Sequence, residues 1–202
     1  MKILVLIFVA VAIPMATFAG NGEEMTKILG VKLGNDTTLR DVEKRFGKGR
    51  VIETGEAGEY KATVCYYVPK CQTKVEFWSD ELGGDNHDVI GFTLTRTKKN
   101  VTSCPVINAS CEELHLANGL KLGMKKSDFT KTLGSGIESV EGFYQKGFES
   151  RKPLTEKERL KMSKTLSSAI ASDLIWDIVV FVRGAFNRGG LDILQVSKTQ
   201  TF

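Results

Sequence analysis

Read from its amino end, the chain begins with one basic residue, Lys2, and then an unbroken apolar run from Ile3 to Ile13. Pro14 interrupts any helix there, and Thr17 and Ala19 set small side chains at the −3 and −1 positions before Gly20. A basic start, a short apolar stretch and small residues at that spacing predict a cleaved export signal over 1–19. The stretch is too short for a membrane-spanning helix, which needs about 20 apolar residues.

After Gly20 the periodicity turns helical and then alternating. Thr38-Leu-Arg-Asp-Val-Glu-Lys-Arg-Phe-Gly47 places Leu39, Val42 and Phe46 on one helical face. Thr37 or Thr38 is positioned to cap it, with Asp41 completing a box and Gly47 as the stop. Ser127-Asp-Phe-Thr-Lys-Thr-Leu-Gly134 repeats the scheme, with Ser127 as the cap and Phe129 and Leu133 inward. One-in-two alternation marks strands at 60–68, 73–79, 89–97, 140–148, 175–183 and 191–199. Gly83-Gly84 and Gly189-Gly190 read as hairpin tips.

These elements recur in order. Gly30-Val-Lys-Leu-Gly34 returns as Gly119-Leu-Lys-Leu-Gly123, 89 residues on, and the helices align 87 apart, so the first loop holds two extra residues. The expected fold is therefore α+β: two tandem repeats, over 20–103 and 104–202, each a short helix packed on a small antiparallel sheet. The repeat register pairs Phe77 with Phe181 and Phe92/Leu94 with Leu194/Val196. Strand alternation sends Val75, Phe77, Phe92 and Leu94 toward the helix and Lys74, Glu76, Trp78, Thr93 and Thr95 toward an open face. Trp176 shares a face with Ile178, Val180 and Val182. An insertion at about 155–174, opened by the capping box Thr155-Glu-Lys-Glu158, forms an extra amphipathic helix in the second repeat.

The doubled G-x-K-L-G motif, each copy with a capped helix ending in Phe-Gly or Leu-Gly and a small sheet, resembles the β-lactamase inhibitor protein-like superfamily. A similar single unit occurs in small outer-membrane lipoproteins of the barrel-assembly machinery. The resemblance covers nearly all of 26–199. It implies helices on one antiparallel sheet, with partners bound by aromatic and polar side chains of the open face. No inhibitory loop matches residue by residue, and the lipoprotein cysteine is missing.

Charge and candidate chemistry change little. With 28 Lys+Arg against 24 Asp+Glu the net charge is +4, and no basic stripe with interleaved aromatics points to nucleic acid. The four cysteines, Cys65, Cys71, Cys104 and Cys111, fit two disulfides of an oxidising compartment, periplasmic or extracellular. Three pairings are open; the local ones, Cys65–Cys71 and Cys104–Cys111, are favoured because each closes a short loop holding a proline. Neither CxxC spacing nor a nearby histidine supports a metal. His87 and His115 lack the orienting acid and nucleophile of a catalytic set. No cofactor, enzyme activity, nucleic-acid partner or membrane anchor is expected. The reading is an exported protein-interaction module, inhibitor-like, with Trp78, Lys74, Glu76, Thr93, Thr95 and Trp176 as partner-binding candidates. The alternative is a structural envelope protein or small-ligand binder without an inhibitory target.

Overall fold

The computed structural model describes residues 22–34, 37–56, 58–98, 103–162 and 174–201. The predicted export signal lies outside the described residues, as do Leu166 and Ile170 of the predicted insertion. In chain order the strands and helices are β1 Lys27–Ile28, β2 Val31–Lys32, α1 Leu39–Phe46, β3 Ile52–Thr54, β4 Lys61–Val68, β5 Thr73–Asp80 and β6 Gly91–Arg96. There follow α2 Lys126–Leu133, β7 Glu138–Val140, β8 Phe143–Pro153, α3 Glu156–Met162, β9 Ile175–Asn187 and β10 Gly190–Thr201. Short 3-10 turns punctuate the order, the first at Gly22–Thr26.

Eight strands form one antiparallel sheet in the order β3-β4-β5-β6-β10-β9-β8-β7. The fold is α+β with a large antiparallel sheet and few helices. Cross-strand registration builds the core in rows: Val64, Phe77, Phe92, Val196 and Val182 lie side by side, as do Tyr66, Val75, Leu94 and Leu194. All nine are 0 % exposed. Each fully buried side chain of this size contributes about 1.5–3 kcal/mol of transfer free energy.

The helices lie on this core face. Thr38 caps α1: its hydroxyl accepts from the Asp41 amide at 3.2 Å while the Asp41 carboxylate accepts from the Thr38 amide at 3.2 Å. Gly47 ends the helix at φ +93°, a region only glycine enters freely. The Phe46 ring packs 5.3 Å from Tyr66 and 6.2 Å from Phe77. α2 differs from expectation at its start. Lys125 holds the cap position without a side-chain bond, and Ser127 lies inside the first turn. Its Phe129 drops onto Gly184, where a Cβ would come within 2.8 Å of the ring.

The expected pairing of Phe77 with Phe181 is corrected. Phe77 faces Phe92, but the residue facing Leu194 is Gly184, three positions along, and the odd shift puts Phe181 on the other face. Phe181 is 39 % exposed. The expected strand at 140–148 is broken by a turn at Glu141-Gly142, with φ +50° and +82°, into β7 and the longer β8.

Both favoured disulfides are also corrected: the bridges are Cys65–Cys104 and Cys71–Cys111. β4 runs extended past Cys65, so Val68 is already about 10 Å away and Cys71 lies beyond it at the hairpin turn. A bridge needs Cα atoms within about 7 Å. Residues 105–107 instead run along the β4 edge, with Tyr67 donating to the Pro105 carbonyl at 2.8 Å and Ile107 donating to Tyr67 at 2.9 Å. That pairing brings Cys104 beside Cys65.

Candidate functional site

Because α1, α2, α3 and the Gly22–Thr26 turn occupy one face of the sheet, the other face is built from the intervening residues of each strand. Its central row runs Glu76, Thr93, Gln195, Arg183 and Gln145 across β5, β6, β10, β9 and β8. The next row is Trp78, Gly91, Ser197, Phe181 and Gly147, and on the other side lie Lys74, Thr95 and Ile193. No described helix packs on this side.

Five of the six sequence candidates lie on this face. Thr93 and Thr95 are half-buried by their neighbours alone, and Lys74 and Glu76 form an ion pair at 2.7 Å with side chains 28 % and 26 % exposed. Trp78 also belongs to this face but is only 8 % exposed, which corrects the expectation of an exposed anchor. Its ring lies flat over Gly91, where a Cβ would sit 2.1 Å from the indole, and the Lys61 ammonium covers it 4.6 Å from the ring centroid. The indole Nε1 is buried without a hydrogen-bond partner.

Trp176 falls on the opposite face. It is 8 % exposed and donates from Nε1 to Glu158 of α3 at 3.1 Å. The Thr155–Glu158 box predicted from sequence is present, with the Thr155 hydroxyl donating to the carboxylate at 2.6 Å. That bond, with the indole N–H, holds the Glu158 carboxyl below its ordinary pKa against the opposing effect of burial. Trp176 is thus a core residue under a helix. Leu160 of the same helix is exposed.

The residues missed by sequence reasoning are Phe181 and Arg183. The Phe181 ring leans over Gly147, and the Arg183 guanidinium lies 4.7 Å from the centroid of the Phe143 ring. Arg183 forms no ion pair with a described carboxylate, and its Nε is buried without an acceptor. The signal was present: Ile178, Val180 and Val182 alternate onto the core, which sends Phe181 and Arg183 outward. The repeat match to Phe77 overrode it.

His87 stands at φ +53° in the β5–β6 connection, its ring 6.1 Å from that of Tyr60. No three His, Cys, Asp or Glu side chains gather as ligands among the described residues. No described helix is long and apolar enough to cross a membrane. What fold and face define is an α+β protein with its described helices on one side of the sheet and, on the other, a face that the described residues cover only at β4, where Cys65 and Tyr67 are buried with Cys104. No family model, curated protein or solved structure matches the chain.

Proposed function

We propose that the chain is an exported bacterial protein-interaction module of two α+β repeats, related to the β-lactamase inhibitor protein-like superfamily, whose partner docks on the open sheet face. The observation that carries this reading is one-sidedness: every described helix packs on one face, while the other keeps Lys74, Glu76, Thr93, Thr95, Phe181 and Arg183 at the surface. Eight strands at about 4.8 Å spacing make a face about 34 Å wide from first to last strand. That is the scale of a standard interface of about 800 Å² per partner. No catalytic step is assigned to the protein.

Two internal correspondences support the repeat. The Gly34 amide donates to Val89 at 2.9 Å ahead of β6, and the Gly123 amide donates to Leu191 at 2.8 Å near the start of β10. Tyr66 on β4 donates to the Gly47 carbonyl at the end of α1, and Lys146 on β8 donates to the Leu133 carbonyl at the end of α2. Two disulfides among the described residues support an oxidising compartment, periplasmic or extracellular.

The test is affinity capture from envelope extract with three proteins: the unaltered chain, Thr93→Arg on the open face and Arg40→Glu on exposed α1. A partner retained by the unaltered chain and by Arg40→Glu, but lost with Thr93→Arg, is the expected result. Retention of the same partner by Thr93→Arg overturns the open-face reading.

A further inference from the structure

We propose that a cleft at one end of the sheet, separate from the open face, binds phosphate groups. It lies where β6 ends and β9 turns into β10, encloses about 670 Å³, and is lined by Arg96, Lys98 and Arg188 with the neutral Gln72 and Asn187. Asp192 is the one carboxylate in the lining.

The site is partly preorganised. Arg96 donates from Nη1 to the Gly189 carbonyl at 2.9 Å, which orients the guanidinium and leaves its other N–H groups for a ligand. A Cβ at Gly189 would stand 3.4 Å from that nitrogen, so the guanidinium lies directly against the hairpin tip. A second stretch of chain reaches the same end. Gly123 and Met124 clip to Leu191 at 2.8 Å each, and a Cβ on Gly123 would lie 3.9 Å from Arg96 Nη1. Lys121 and Lys125 flank that clip.

None of these five cations forms an ion pair with a described carboxylate, whereas Lys44, Lys74, Arg151 and Lys198 each do. Like charges held together by a hairpin tip and a clipped loop repel one another, and a bound anion removes that repulsion. Guanidinium and ammonium groups from several directions suit the tetrahedral oxygens and double charge of a phosphate better than one planar carboxylate. The volume admits a diphosphate or the phosphate of a lipid headgroup, and the two sources share the chemistry.

The experiment uses purified protein in two arms at matched ionic strength: calorimetric titration with pyrophosphate, and co-sedimentation with phosphatidylglycerol or phosphatidylcholine vesicles. Lys98→Gln/Arg188→Gln is the test variant, since neither side chain is bonded within the described structure. Saturable pyrophosphate binding, weakened about tenfold or more in the variant at unchanged melting temperature, is expected. Sedimentation with phosphatidylglycerol alone, lost in the same variant, assigns the phosphate to a headgroup; pyrophosphate binding without sedimentation assigns it to a soluble compound. Absence of saturable binding in both arms, or equal binding by the variant, overturns the proposal.

Discussion

Phe77 and Trp78 are adjacent and point to opposite faces, as alternation requires, yet both are buried. Direction was legible in the sequence; exposure was not, because it depends on what stands across the strand. Gly91 leaves a floor on which the indole lies flat, and Lys61 closes the top. Gly91→Ala is therefore expected to destabilise the protein by about 1–3 kcal/mol through overpacking. In a Trp78→Ala background the penalty is expected to shrink, and denaturant melts of the double-mutant cycle read the coupling. In the single-tryptophan variant Trp176→Phe, emission from Trp78 is expected to be blue-shifted and resistant to acrylamide; a red, readily quenched emission would contradict the packing. A second residue-scale prediction concerns Lys198, 6 % exposed and paired at 3.0 Å with Glu23. Burial raises the Glu23 pKa, but the Lys198 hydrogen bond and charge outweigh it and leave the carboxyl below its ordinary value of 4.5. Stability from this depressed carboxyl is full above about pH 4.5 and lost as pH falls through the lower folded value. Glu23→Gln leaves a buried ammonium uncompensated and is expected to cost about 2–4 kcal/mol at neutral pH, with a weaker acid dependence in urea melts. Lys198→Met is expected to cost less, since a carboxylate that is a quarter exposed can hydrate.

At the scale of elements, local chemistry was the most legible part. The Thr38 and Asp41 side chains start α1 and the positive-φ backbone of Gly47 stops it, and Thr155 with Glu158 opens α3. Thr38→Ala is expected to lose about 1 kcal/mol, measured by chemical denaturation. What escaped was whatever depends on distant strands. α2 starts without a side-chain cap, and the β7–β8 break and the Gly184 seat for Phe129 appear only once β9 is in place. The far ends of the two helices make a comparison possible. Tyr66→Phe removes a hydroxyl bonded to the Gly47 carbonyl at 3.0 Å, and Lys146→Met removes an ammonium from the Leu133 carbonyl at 2.6 Å. Each is expected to cost about 1 kcal/mol, with the Lys146 loss the more salt-sensitive because it involves the negative end of a helix dipole. Equal salt dependence of the two variants in paired melts would remove that distinction.

Across the whole molecule, the even cysteine count was readable but the pairing was not, since it follows from residues 105–107 lying along β4. The observed bridges span 39 and 40 residues. A loop of that size constrains the unfolded chain by about 4 kcal/mol, against about 2–2.5 for the short local loops. Because the two loops interlock, their effects are not expected to add. Peptide mapping without reduction is expected to recover Cys65 joined to Cys104 and Cys71 joined to Cys111. Reduction is expected to lower the melting temperature more than two short-range bridges could account for. Recovery of either local pair would refute the register of β4 with 105–107.

The strand order carries a consequence for how the protein is made. β10, the last strand in chain order, sits beside β6 in the middle of the sheet. All four cysteines precede Glu112, so both covalent loops can close while the strands that complete the sheet are still emerging. Until β10 arrives, β6 and β9 present the long unpaired edges on which other chains add strands. If both bridges close before β10 emerges, the cysteine-bearing part is covalently joined while those edges are still unpaired. A chain ending at Gly189 would remain in that condition permanently, and aggregates held by strand addition would form in place of a monomer.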